Sequence, residues 1–245
     1  MDTLELNGFL SKEVDAYMLH VEVVFRDAIS EARRASGTAV KQLGDMKLVN
    51  PCLPLLVALS LWSRCVVTCQ AAILLGTRGM GVDGLTLLRN AFESLFHCGA
   101  LLQDPSVLIR LRNKDDYERL KQATLMLDHK ETMDVLTPEN RAAVEAFLRA
   151  APSHGTIISA FECAQVAGLE GLYHSAYRSL SLVAAHPSLT TAGHAFGASI
   201  FDLRFGPSVT NLDSVFGLAR DCLNIGCSIV EKALASGAGR AGQTK

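Results

Sequence analysis

The chain is expected to be all-α, an irregular bundle of about seven helices, and three observations lead there. Apolar residues recur at i, i+3, i+4 and i+7 through most of its length, the period of a helix that buries one face. No window alternates apolar and polar residues between turn signals as a half-buried strand would. Proline or glycine punctuates the periodic stretches, at Pro51, Pro105, Pro138, Pro152 and Gly168.

Taken in order, residues 11–34 form the first amphipathic helix, with Val14, Tyr17, Val21, Phe25, Ala28 and Ala32 on one face and Gly37 suited to its end. Residues 38–50 are read as a connection. Pro51 and Pro54 open a long apolar helix that runs to Gly76, and Arg78-Gly79-Met80-Gly81 is a turn without a phosphate-binding fingerprint. Asp83 can cap the next helix, Leu85 to Leu102, where Gly99 permits close approach of a neighbour. Residues 105–136 are charged and suit one solvent-covered helix. Thr137-Pro138 pairs a cap with proline at the first helical position and opens a helix to Ala150, which Pro152 breaks. A short helix over 156–167 leads through Gly168 to Leu172–Ser188, LYHSAYRSLSLVAAHPS, which Pro187 ends near His186. The loop-rich segment 187–211 is a candidate lid, and residues 211–234 form a final helix. Residues 1–235 make one domain and 236–245 a disordered tail.

Composition narrows the function. Lys plus Arg is 23 against 25 acidic residues, so no electrostatic argument favours duplex DNA or an anionic membrane. A local basic groove leaves RNA open as a partner. The seven cysteines are odd in number and include no CxxC, which fits free thiols in a reducing cytoplasm. Cys65 and Cys69 stand one turn apart without a second ligand pair, so no metal and no cofactor are expected. The first fifteen residues lack the basic and apolar regions of a signal peptide. Leu53 to Leu75 is long enough to span a bilayer, but Arg64 at its middle and the polar stripe of Ser60, Ser63 and Thr68 favour a bundle helix.

The 172–188 helix is the centre of the functional reading. Tyr173, Tyr177 and Ser181 recur at i, i+4 and i+8 along the edge of its apolar arc. Arg89 and Glu93 lie beside the arc of the 85–102 helix. Base before acid is the weaker local orientation of such a pair, so a tertiary role is the better reason for it. Arg64, Arg89, Glu93, Tyr173, Tyr177, Ser181 and His186 then form one candidate site. Arginine supplies a forked donor for phosphate or carboxylate, Glu93 can hold Arg89 or act as a base, and His186 exchanges protons near neutral pH. A buried network that fixes helix register is the alternative. Ser181 lies mid-helix with no acid to orient His186, which argues against a hydrolase triad.

LWSRCVVTCQAAILLGTRGMGVDGLTLLRNAFESLFH, followed later by LYHSAYRSLSLVAAHPS, resembles a helical, mostly bacterial family known as a domain of unknown function. Its recurring features are an Arg in the first long helix, a glycine turn, LLRxxFE and YxxxYxxLS followed by a His (YxxxYxxLSxxxxH in this chain), and the resemblance covers residues 53–188. That family in turn resembles HEPN-type helical domains, some of which are dimeric RNA-cutting toxins of bacterial defence. The resemblance implies a homodimer and, in one reading, a metal-independent ribonuclease using His186 with Arg89 or Arg178. HEPN nucleases space Arg and His by four to six residues; seven separate Arg178 from His186 here, and seven Arg89 from His97. Arg149 and His154 fit the spacing, but Pro152 interrupts their helix. The other reading is a binding or regulatory protein for an anionic small ligand.

Overall fold

The computed structural model describes residues 3–150, 155–185, 189–196, 199, 201–203 and 206–236. After a short turn, Leu4–Asn7, eleven helices follow among the described residues: α1 Glu13–Val24, α2 Arg26–Asp45, α3 Leu53–Thr77, α4 Gly81–Gln103, α5 Val107–Asp128, α6 Lys130–Val135, α7 Pro138–Ala150, α8 Ala160–Val166, α9 (170–185), α10 Leu189–Gly193 and α11 Leu212–Ala235. No strand occurs among them; an isolated bridge joins Phe196 and Leu203. The all-α class is as expected, and the count is eleven rather than seven.

The extra helices have local causes. The expected 11–34 helix breaks at Phe25, whose backbone leaves the helical region (φ −107°, ψ 24°). Its second half then continues through Gly37 to Asp45, because Ile29, Ala32, Ala35 and Ala39 form one buried stripe. Gly37 ends nothing, since it faces open space within the helix. The charged 105–136 stretch divides at His129, where the backbone extends (φ −99°, ψ 106°). The helix after Pro152 begins at Ala160, where Ser159 and Glu162 form a reciprocal capping box.

Four helices make the core. α3 and α4 pair as an antiparallel hairpin, and α2 and α11 pack against them. The α3–α11 register follows from three contacts in descending order: Trp62 with Gly226, Cys65 with Cys222, and Gly76 with Phe216. Gly226 is required there, because a β-carbon at that position would enter the Trp62 ring. Gln42 of α2 ties the three helices together: it accepts from the Trp62 indole at 3.2 Å and donates to the Cys227 carbonyl at 2.9 Å. Trp62, Phe92, Phe96 and Phe216 are fully buried, each contributing about 1.5–3 kcal/mol through the apolar surface it removes from water.

α3 is long and apolar enough to cross a membrane, yet half of its most apolar window is buried inside the protein. On the other side of the hairpin, α9 runs antiparallel to α4. Phe96–Tyr173, Glu93–Tyr177, Arg89–Ser181 and Thr86–Ala184 are successive contacts along it. The end of the predicted 172–188 helix at His186 and Pro187, the break at Pro152, most of the tail and parts of the 187–211 segment lie outside the described residues.

Candidate functional site

Helix α9 is not uniformly α-helical. α-Helical turns Glu170–Leu172 and Arg178–Leu180 alternate with π-helical stretches Tyr173–Tyr177 and Ser181–Ala185. In an α-helix, residues four apart drift around the axis by about 40°. A π-turn holds more residues and reduces that drift. The interruptions therefore keep residues 173, 177 and 181 in one line facing α4.

Arg89 meets that line with three separate donors. Nη1 donates to Glu93 Oε2 at 3.0 Å, Nη2 to Tyr177 Oη at 2.7 Å, and Nε to Ser181 Oγ at 3.3 Å. Tyr177 Oη in turn donates to Glu93 Oε2 at 3.0 Å, and Ser181 Oγ donates to the Tyr177 carbonyl at 2.9 Å. The guanidinium carbon also lies 4.8 Å from the Tyr177 ring centre, within cation–π range. Tyr173 adds no hydrogen bond to this set; its ring stacks on Tyr177 at 5.1 Å and packs on Phe161 at 5.0 Å.

The pair is neither fully buried nor free. The Arg89 and Glu93 side chains are 23% and 24% exposed. Burial, then the Glu93 charge, pushes the Tyr177 phenol up to about 12, against the lowering effect of Arg89. The phenol thus stays protonated and remains a donor to Glu93 at neutral pH. With its charge matched by Glu93 and its donors engaged, Arg89 is poorly placed to clamp a free anion. The arrangement is suited to holding two helices in register.

Arg64 does not join the cluster: it is exposed on α3, and its guanidinium has no hydrogen-bond or ion-pair partner among the described residues. Trp62 and Cys65 point to the core, which turns position 64 outward. His186 lies outside the described residues. Arg178 is exposed on the outer face of α9.

In the sequence His97 figured only through its spacing from Arg89 and stood outside the candidate site. It follows Glu93 by one turn, so Arg89, Glu93 and His97 recur at i, i+4 and i+8; that spacing was the available signal. Its Nε2 is buried with no hydrogen-bond partner among the described residues. Burial lowers its pKa, and the charge of Glu93 opposes that shift. An open groove of about 830 Å³ lies elsewhere, between α5 and α6, lined by Glu118, Gln122, Met126 and His129 among others. Cys65 and Cys69, which sequence spacing left without a further ligand, are joined in the core by Cys222.

No curated protein and no solved structure matches the chain. A family profile described as a family of unknown function (DUF5677) does match, over residues 55–199. That span is more than half of the 245 residues and includes both LLRNAFE and YHSAYRSLS. The chain belongs to this family of unknown function, DUF5677.

Proposed function

We propose that the protein is a helical binding and regulatory protein in which the polar cluster positions α9 on α4 and performs no chemistry itself. The supporting observation is the engagement of Arg89 by partners on two helices, with its charge compensated by Glu93. What α9 then offers outward is His174, Arg178 and Leu182, all exposed, with Arg178 lacking a partner among the described residues. A forked cation on a fixed helix suits an anionic ligand, with RNA as the probe to hand. The proposed setting is the bacterial cytoplasm, as a homodimer in a defence role, which rests on the HEPN-type resemblance alone.

The test is titration of a labelled single-stranded RNA into the purified protein, read by anisotropy and on a denaturing gel. Saturable binding of intact RNA, weakened several-fold by Arg178→Glu, is the expected result. No binding, or no effect of that substitution, overturns it.

One observation favours a ribonuclease as the second reading. His97 offers a buried imidazole nitrogen, one turn from Glu93, that has no hydrogen-bond partner among the described residues and a pKa lowered by burial. That group has the character of a general base, the role first given to His186. RNA cleavage lost in His97→Ala would replace the binding reading with this one.

A further inference from the structure

Away from this cluster, three thiols on two helices converge in the core. Cys65 and Cys69 of α3 and Cys222 of α11 are each fully buried. Their sulfurs all lie within 4.8 Å of one another, with Cys65 and Cys222 at 3.6 Å. Sulfurs sharing one ion at about 2.3 Å stand roughly 4 Å apart in a trigonal arrangement, so the spacing already approaches that of a ligand set.

The surroundings restrict what could occupy it. The set offers sulfur alone, which selects soft ions over magnesium, calcium or manganese. Three donors, with no fourth in the group among the described residues, suit trigonal rather than tetrahedral coordination, whereas structural zinc takes four ligands. Cysteine sulfur binds a metal as thiolate, so filling the set requires its thiols to give up their protons.

The register of the two helices is also held away from the thiols. Trp62 seated over Gly226, and Gly76 against Phe216, hold α3 and α11 together on either side of the cluster. The sulfurs are thus presented by a rigid frame. We propose that Cys65, Cys69 and Cys222 form a buried three-sulfur site for a soft monovalent ion, Cu(I), loaded as the chain folds. Binding releases the three thiol protons to solvent, and no electron is transferred.

The experiment uses the full chain purified anaerobically from copper-supplemented cells, followed by metal analysis and Cu(I) titration against a chromophoric chelator. The expected result is one copper per chain, lost in Cys222→Ser and in Cys65→Ser but retained in Cys98→Ala, which alters a buried thiol outside the set. Thermal melting should shift upward with Cu(I) in the unaltered chain and in Cys98→Ala, and stay unchanged in the two serine variants. Three results overturn the proposal: copper-free protein that also fails to compete with the chelator, zinc retained in place of copper, or a Cys65–Cys222 disulfide found by mass spectrometry.

Discussion

Tyr177 gives its phenolic proton to Glu93 and receives one from Arg89, so a single hydroxyl closes a ring of hydrogen bonds between α4 and α9. Tyr177→Phe removes that hydroxyl and keeps the buried ring. A loss of about 1 kcal/mol in urea unfolding is expected, since the ring still packs beneath the guanidinium. Arg89→Ala should cost more, about 2–3 kcal/mol, because it leaves a largely covered carboxylate without its cation. The double variant should fall short of the sum by at least about 0.5 kcal/mol. Strict additivity would mean that the ring does not act as a unit.

The same phenol sets an alkaline limit. Its folded pKa is raised to about 12 from 10.0. Between those values the unfolded chain loses the phenolic proton first, so the stabilisation present below pH 10 falls as pH rises towards 12. Tyr177→Phe should flatten this part of the stability–pH curve. Tyr17, also raised by burial, keeps part of the slope in both proteins.

On the acid side the sign depends on His97. Burial lowers its pKa from 6.5, so protonation favours the unfolded chain. Stability should be full above about pH 6.5 and decline as pH falls through the lowered folded value. Histidine proton resonances followed by NMR should give a midpoint for His97 below the ordinary histidine value of 6.5. In His97→Gln the acid decline should be shallower.

Gly226→Ala should be the most damaging small substitution in the core. The new methyl meets the fully buried Trp62 ring, and overpacking of this kind costs roughly 1–3 kcal/mol or more. Trp62→Leu in the same chain should recover part of the loss by vacating the space. Thermal melts of the two single variants and the double variant decide it: no recovery means that the clash is not what destabilises the helix pair.

Periodicity revealed the all-α class and the polar edges of α4 and α9. Arg89, Glu93, Tyr177 and Ser181 could be grouped from spacing because each lies at the margin of its own apolar arc. Arg64 could not be excluded the same way. α3 is apolar nearly all round, so its pattern does not say which side faces water. The break at Phe25 is likewise tertiary, with its ring packed on Phe216 at 6.1 Å. Nor does any local signature mark the thiol cluster, whose Cys65 and Cys222 are 157 residues apart.

The two wide turns in α9 make chain length, as well as residue identity, a determinant of the polar cluster. Removing one residue from the α-helical turn Arg178–Leu180 would leave both wide turns in place. Everything after it would then swing round by about a quarter of a turn. Ser181 would face away from Arg89 although no member of the cluster had been altered. A one-residue deletion there should therefore do more harm than any conservative exchange at the same positions.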